Sequence, residues 1–188
     1  MAQKATYFWR RLDMQGLERL ELEAGSEGVM ASGSLICMEP PGFRLDHHWR
    51  LTPDWRVQSV QVQRWDANGL QTIGLERVGT DWSVNGEIRA DLAGADEPDL
   101  SVTPFCNTFP IRRTPQTDGA SLTLDTVFID AAAMTVVRSR QKYVCQGAHR
   151  FRYIDLGFAT GFEADLFVDE EGLVVHYEHL FERISPSA

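Results

Sequence analysis

The residues best suited to hold a ligand lie in one proline-rich stretch of the sequence. From Asp99 to Arg113 the chain reads DLSVTPFCNTFPIRR, and its polar and basic side chains include Thr103, Asn107, Thr108, Arg112 and Arg113. Polar groups in a rigid apolar segment must find partners, either within the fold or in a ligand. An arginine pair can grip a carboxylate or phosphate bidentately. The alternative to ligand binding is a purely structural role, in which Asn107 and Thr108 cap backbone groups and an arginine pairs with Asp91 or Asp99.

Four carboxylates precede or begin this stretch: Asp91, Asp96, Glu97 and Asp99. They could supply oxygen ligands for Mg²⁺ or a general base, although their spacing matches no calcium loop and turns routinely collect Asp. The sequence contains no G-x-S-x-G elbow, phosphate loop or dinucleotide fingerprint. We therefore expect no catalytic residue, no metal and no cofactor. The alternative is a metal-dependent hydrolase acting on a phosphorylated or glycosylated small molecule.

Apolar and polar residues alternate along most of the chain. The pattern is clearest in Phe43–Leu51 and recurs at Phe162–Val168 and Leu173–Phe181. A period of two predicts half-buried strands, and Asn68-Gly69 and Asn85-Gly86 favour tight hairpins between them. We expect about eleven or twelve short strands, too many for one flat sheet. The sequence thus predicts an all-β, single-domain (residues 1–188), closed or strongly curved antiparallel barrel.

One long segment, Asp91–Pro115, does not alternate. It contains four prolines, which predict a loop or a short helical connection that crosses the structure, and its Phe105, Phe109 and Ile111 predict that it is packed. The hairpins around Leu51–Val57 and Val168–Val174 resemble each other weakly. They leave open whether the barrel has two related halves, because any two hairpins share this pattern.

Composition excludes several classes of protein. The 188 residues carry a net charge of −9, which disfavours nucleic acid as a partner. The segment from Pro104 to Arg152 contains seven basic and three acidic residues, and the resulting positive field suits a small anionic ligand. The alternative is that these charged residues simply form the solvent-exposed faces of strands. No apolar run reaches the roughly 18 residues of a membrane span. Charged residues occur within the first ten positions, so the start of the sequence does not resemble the apolar core of a signal peptide. We expect a soluble cytoplasmic protein.

The sequence resembles a bacterial family of unknown function whose members are described as glycolipid-binding proteins, and the resemblance is strongest in the proline-rich stretch. The shared residues follow in order over about half of the chain: Trp82–Gly86, Asp91-Leu92, Gly94, Asp99-Leu100, Thr103–Phe105, Asn107-Thr108, Pro110–Arg113, Gln141, Tyr143 and the hairpin Asp169–Tyr177. The core TPF-x-NT-x-PIRR is the most specific part. Cys106, Phe109 and Glu97-Pro98 depart from the residues that we expect in the family.

The resemblance implies a barrel-like antiparallel fold and a noncatalytic binding function. We expect an amphipathic or anionic small molecule, with a glycolipid as one example, whose aliphatic part lies against Phe, Trp and Leu side chains. The expected ligand-binding residues are Arg112, Arg113, Asn107, Thr108, Thr103, Trp82, Gln141 and Tyr143. A third alternative is an interaction module whose barrel is filled solid with side chains.

Overall fold

A computed structural model describes residues 3–185 and places most of them in β-strands. The strands are β1 (Gln3–Arg11), β2 (Gly16–Gly25), β3 (Gly28–Cys37), β4 (Phe43–Leu51), β5 (Val57–Asp66), β6 (Gly69–Val78), β7 (Asp81–Val84), β8 (Glu87–Ile88), β9 (Glu97–Leu100), β10 (Ser121–Asp130), β11 (Thr135–Cys145), β12 (Arg150–Asp155), β13 (Glu163–Val168), β14 (Val174–Tyr177) and β15 (Phe181–Ile184). Two 3-10 helices (Ala90–Leu92, Pro104–Asn107) and one helix, α1 (Thr108–Arg113), complete the fold.

All fifteen strands belong to one sheet. Strands β1 to β8 form one antiparallel meander and β10 to β15 form another, and β1 pairs with β15 at the junction, where Phe8 lies opposite Ile184. The hydrogen-bonded order runs from β8 at one edge to β9 at the other. Within the described residues, backbone hydrogen bonds therefore do not close the sheet into a barrel. The all-β prediction is confirmed, whereas the predicted eleven or twelve strands were too few.

The predicted alternation is confirmed most clearly in β4. Its odd-numbered residues from Phe43 to Leu51 are buried, and most of the even-numbered residues between them are exposed. The register keeps this order across the sheet, because Trp49 lies opposite Ala31 of β3 and Val60 of β5. Directly paired residues point to the same face of a sheet. One face of the β1–β6 meander is therefore mostly apolar, and Glu18, His47 and Arg64 are the buried polar residues on it.

The Asp91–Pro115 segment contains more structure than the sequence predicts. It includes the expected helical connection but also β9, which pairs with β10 in parallel, Asp99 opposite Phe128. A strand of four residues is too short to show alternation, and Pro98 is typical of an edge strand because proline lacks the N–H that a second neighbour would need. The sheet is thus antiparallel except for this one pair.

The Asp91–Pro115 segment, which we call the central segment, joins two apolar cores. Phe105 and Phe109 lie in the core formed by the first meander, against Trp49, with ring centroids 5.8 and 5.5 Å apart. Ile111 lies in the core of the second meander, with Phe151 and its neighbours. The six-residue α1 thus turns one face to each half of the sheet.

Several turns meet at one end of the sheet, which we call the α1 rim. Because neighbouring strands are antiparallel, the turns after β2, β4, β11 and β13 all fall at this end, and α1 ends there too. The rim includes the turn Thr52–Arg56, in which Trp55 has a positive φ of 64°, and the turn Asp169–Leu173. Within residues 3–185, no helix is both long and apolar enough to cross a membrane.

Candidate functional site

The end of α1 separates its two arginines. Successive residues of a helix point about 100° apart, so Arg112 and Arg113 cannot share one direction. Arg112 is exposed at the α1 rim, whereas Arg113 is half-buried. The helix stops at Thr114, whose backbone N–H and Oγ1 both donate to the carbonyl oxygen of Pro110, at 2.9 Å each. The arginine pair that the sequence predicts therefore faces two different surroundings.

Arg112 is held between the two rim turns. Its guanidinium carbon lies 4.3 Å from the centroid of the Trp55 ring, and its Nη1 donates to the backbone oxygen of Glu171 at 2.6 Å. Partial burial lowers the pKa of Arg112, while the carboxylates of Glu171 and Asp169 act in the opposite direction. A guanidinium stacked on an aromatic face keeps unused N–H donors at its edge.

Gly172 leaves the space that Arg112 occupies. Its φ is +82°, and a Cβ at this position would lie 3.2 Å from Cγ of Arg112 and 3.7 Å from Cγ2 of Ile111. A side chain here would therefore crowd the arginine and strain the backbone.

Arg112 and Glu171 line two cavities that open at the α1 rim. The wide groove has a volume of about 440 Å³ and is lined by Ile111, Arg112, Gln116, Gly147, Ala148, His149, Phe151, Val168, Asp169, Glu170, Glu171 and Gly172. The narrow groove, of about 200 Å³, is lined by Gln3, Ala5, Tyr7, Leu22, Ala24, Trp55, Arg112 and Glu171. The wide groove has a rim of charged and amide groups, whereas the narrow groove is walled mostly by apolar side chains.

A second layer of contacts fixes the wall between the grooves. The Tyr7 hydroxyl donates to Oε2 of Glu171 at 3.3 Å, and the guanidinium carbon of Arg183 lies 5.0 Å from the Tyr7 ring centroid. Arg183 in turn is bound to Oδ2 of Asp169 at 2.7 Å. Burial, together with the charge of Glu171, raises the pKa of Tyr7 to about 12. Tyr7 is therefore a neutral hydrogen-bond donor at physiological pH.

Arg113 faces the other way, towards the edge strand β9. It lies 3.4 Å from Asp96 and 3.7 Å from Glu97, a carboxylate with only 1% of its side chain exposed. Arg77 of β6 also contacts Glu97, at 3.3 Å, and the backbone N–H of Val57 donates to Glu97 Oε2 at 3.1 Å. These contacts tie β9 to β5 and β6 through side chains.

Asn107, Gln141 and Tyr143, three of the residues that the sequence predicts to bind a ligand, lie together in a buried network beside the second core. The Tyr143 hydroxyl donates to Asn107 Oδ1 at 2.8 Å, and the Gln141 amide donates to Asp99 Oδ2. The Asn107 amide donates to the Pro104 carbonyl at 3.2 Å. Burial raises the pKa of Asp99 to about 6. This network holds the start of α1 in place.

Thr103, Thr108 and Trp82 are also buried, at separate places. Thr103 Oγ1 accepts from the backbone N–H of Phe105 at 3.2 Å and donates to Glu18 Oε1 at 2.8 Å, so it caps the second 3-10 helix. Trp82 Nε1 donates to the carbonyl of Ala95 at 3.0 Å. Thr108 lies within α1 with its side chain fully buried.

The acidic residues before α1 are distributed over different surroundings. Asp91 is exposed and bound to Arg89 at 2.7 Å, whereas Glu97 and Asp99 are engaged as described above. Over residues 3–185, no three His, Cys, Asp or Glu side chains are grouped so that they could hold a metal ion. Cys37, Cys106 and Cys145 are free and buried.

Sequence reasoning missed most of the residues that surround Arg112. Tyr7, Trp55 and His149 lie on three segments that are distant in the sequence, and only the folded sheet brings them to one rim. Two weak signals were present. The turn containing Trp55 and the turn containing Glu171 are the two hairpins whose patterns resemble each other, and both of them contact Arg112.

Comparison with known proteins agrees with this architecture. A crystal structure of a DUF1089 family protein from Pseudomonas aeruginosa superposes with a TM-score of 0.79 at 28% sequence identity, over 89% of this chain and 92% of that chain. No curated protein matches the chain. The family described as "Putative glycolipid-binding" matches residues 6–183. Because this match covers nearly the whole sequence, the protein belongs to that family.

Proposed function

We propose that the protein binds an amphipathic small molecule at the α1 rim, without catalysing a reaction. The apolar part of the ligand lies in the narrow groove, its polar head lies in the wide groove, and Arg112 contacts the ligand between them. Family membership supports a binding function. The observation that carries the assignment to this place is that one exposed arginine lines both cavities.

The charge of Arg112 is available to a ligand. Fifteen of the 18 basic side chains lie within 4.0 Å of a carboxylate oxygen in the described part of the chain, and the other three are Arg50, Arg112 and Lys142. This acidic protein thus pairs most of its arginines internally. An arginine that has no carboxylate partner and that lines a cavity has hydrogen-bond donors available for a ligand.

The composition of the wide groove favours an uncharged, hydroxylated head such as a sugar. Its rim offers acceptors on Glu170, Glu171 and Gln116 and donors on Arg112. Hydroxyl groups both donate and accept, so they suit such a mixed rim. A strongly anionic head would meet three carboxylates, those of Asp169, Glu170 and Glu171, and a single arginine, which disfavours it. A glycolipid or an alkyl glycoside has the matching chemistry.

The narrow groove limits how much of an aliphatic chain can be buried. Its volume of about 200 Å³ corresponds to roughly seven water-sized groups of about 30 Å³. Six buried methylenes would contribute about 5 kcal/mol before the costs of association. Because 5 kcal/mol alone corresponds to a Kd of only about 0.2 mM, and association costs act against it, we expect an affinity in the millimolar range for a single short chain.

In this proposal the other seven residues expected from the sequence support the site. The polar groups of Asn107, Gln141 and Tyr143 bind one another and Asp99, and Arg113 binds Asp96 and Glu97. Thr103, Thr108 and Trp82 are buried around the same central segment. Their contribution to ligand binding is to fix α1, and thereby the position of Arg112.

Calorimetric titration with octyl glucoside, below its micelle concentration, tests the proposal. We expect saturable binding to the wild-type protein, at least tenfold weaker binding to Arg112→Ala, and weaker binding of octyl phosphate than of the glucoside. Arg19→Ala is the matched control, because Arg19 is an exposed arginine that pairs with Glu21 on the outer face of β2. Equal affinities of Arg112→Ala and Arg19→Ala for octyl glucoside would contradict the assignment.

A further inference from the structure

A separate cavity lies on the outer face of the first meander. It has a volume of about 420 Å³, and it shares no lining residue with the two grooves at the α1 rim. Its walls come from β4, β5 and β6 and from the turn Asn85-Gly86 between β7 and β8. Most of its lining side chains are polar, because they lie on the solvent-facing side of the sheet.

The strand register places these polar side chains in two neighbouring rows. His48 lies opposite Gln61, and Gln61 lies opposite Gly74. In the next row Arg50 lies opposite Ser59, and Ser59 lies opposite Glu76. His48 and Arg50 are two residues apart on one strand, so both side chains project from the same outer face.

Gly74 keeps the centre of the cavity open. It is not among the glycines with a positive φ, so its backbone conformation does not demand glycine. A Cβ at this position would lie 3.1 Å from Gln61 Oε1 and 3.7 Å from Asn85 Oδ1. Asn85 Oδ1 accepts from the backbone N–H of Gly74 at 2.8 Å, which fixes the amide at the edge of the cavity. The missing side chain therefore leaves a space bordered by two amides.

Arg50 brings a charge to this space that the protein leaves unpaired. It is exposed, and within residues 3–185 no carboxylate oxygen lies within 4.0 Å of it and no hydrogen bond engages it. Beside it, Nδ1 of His48 contacts Ser32 Oγ at 3.0 Å, and Nε2 of His48 has no partner in the same range of residues. Of the basic side chains without a carboxylate, Arg50 and Arg112 each line a cavity.

We infer that this outer cavity is a second ligand site, which binds the oxyanion of a small molecule, either a carboxylate or a phosphoryl group. The Arg50 guanidinium supplies a charged two-donor fork, and His48 and Gln61 add further donors. Glu76 lies two strands from Arg50, which corresponds to about 10 Å, so a singly charged ligand is favoured over a multiply charged one.

Titration of the isotopically labelled full chain with acetate and with inorganic phosphate, followed by amide NMR, tests this inference and distinguishes the two sources of oxyanion. We expect saturable shifts of the Gln61, Gly74 and Asn85 amides with at least one of the two anions. We expect Arg50→Gln to weaken that binding at least fivefold. Gly74→Ala should weaken it as well, since the added Cβ occupies the cavity.

Two control variants establish whether the shifts arise from binding in this cavity. Arg19→Gln changes a paired arginine of the same outer face and should leave the titration unchanged. Arg112→Ala should also leave it unchanged, so failure of the α1 rim site does not affect the result. Shifts that do not saturate with either anion, or that are equally strong in Arg50→Gln, would overturn the inference.

Discussion

At the scale of single residues, the position of Arg112 depends on contacts that hold its side chain without neutralising it. Stacking on Trp55 and donation to the Glu171 carbonyl restrict the guanidinium, but neither contact supplies a full negative charge. Restriction in the free protein lowers the ordering cost that a ligand must overcome. The arginine is therefore both available and preorganised.

Gly172→Ala should move Arg112 and weaken binding. The positive φ of this residue makes alanine cost about 1 kcal/mol or slightly more, and the new Cβ would press on Cγ of Arg112. Gly161→Ala is the control, since Gly161 also has a positive φ but no atom lies within 4 Å of its Cβ position. Calorimetry should show similar losses of stability in both variants and weaker octyl glucoside binding only in Gly172→Ala. Unchanged binding in Gly172→Ala would contradict this account.

Asp99→Asn should stabilise the protein at neutral pH. Burial raises the pKa of Asp99 from 3.8 to about 6, so the folded state binds more protons than the unfolded state between these values, and the contribution of Asp99 to stability falls as the pH rises through them. A shift of about two units corresponds to at most about 3 kcal/mol. We expect a gain of about 1–3 kcal/mol at pH 7.5 and little gain at pH 4.5.

Urea unfolding of wild type and Asp99→Asn at both pH values measures this difference. The exposed Asp118→Asn variant serves as the control and should change stability by less than about 0.5 kcal/mol at either pH. A gain of equal size at pH 4.5 and 7.5, or a loss at pH 7.5, would show that burial of the carboxylate does not dominate at this residue.

At the scale of elements, alternation was sufficient to predict the strands but not how the edge strand and the central segment are placed. Phe43–Leu51 has its predicted faces because one side chain in two must be buried. Strand β9 was missed because its four residues, Glu97–Leu100, are too few to carry a period. The packing of Phe105, Phe109 and Ile111 was correctly expected from their apolar character within a proline-rich segment.

The candidate site was harder to predict than the strands. The sequence brought Arg112 to notice, because an arginine pair is uncommon in such an apolar stretch. It could not indicate that Trp55 and Glu171 would contact Arg112, since long-range register decides which turns share a rim. Nor could it indicate that Arg113 turns towards Glu97, because this depends on where α1 ends.

Removing Glu97 should loosen β9 from β5 and β6. Glu97→Ala leaves the Val57 N–H and nearby arginines without their buried acceptor, and we expect a loss of about 3 kcal/mol. Glu97→Gln should cost less, about 1 kcal/mol, because an amide oxygen can still accept from the backbone N–H of Val57. Burial raises the pKa of Glu97, and the charges of Arg113 and Arg77 act in the opposite direction.

Urea unfolding compares these variants with Glu21→Ala, which removes an exposed carboxylate paired with Arg19 and should change stability little. A larger loss in Glu97→Gln than in Glu97→Ala, or a loss in Glu97→Ala no greater than in Glu21→Ala, would contradict the role of this contact.

At the scale of the whole molecule, the central segment couples the two halves of the sheet. Phe105 and Phe109 pack in the first core and Ile111 packs in the second, and only a few residues separate them. A segment that contributes to both cores cannot leave one without disturbing the other. We therefore predict that the chain unfolds as one cooperative unit, which accords with the expected single domain.

Phe109→Ala tests this coupling. Loss of a buried phenylalanine should cost about 3–5 kcal/mol. All five tryptophans precede the central segment, so their fluorescence reports on the first meander, whereas far-UV circular dichroism reports on the whole sheet. We expect the two midpoints to coincide in the wild type and to shift together in Phe109→Ala. Separate midpoints, or a shift of fluorescence alone, would show that the halves unfold independently.

The central claim is that an amphipathic ligand binds at the α1 rim, with Arg112 between its head and its chain. Mapping of octyl glucoside by amide NMR tests this most directly, because it locates the ligand without a variant. We predict that the largest saturable shifts occur at Gly147, His149 and Gly172 for the head and at Ala5 and Ala24 for the chain. Saturable shifts confined to other parts of the sheet, with these five amides unchanged, would contradict the claim.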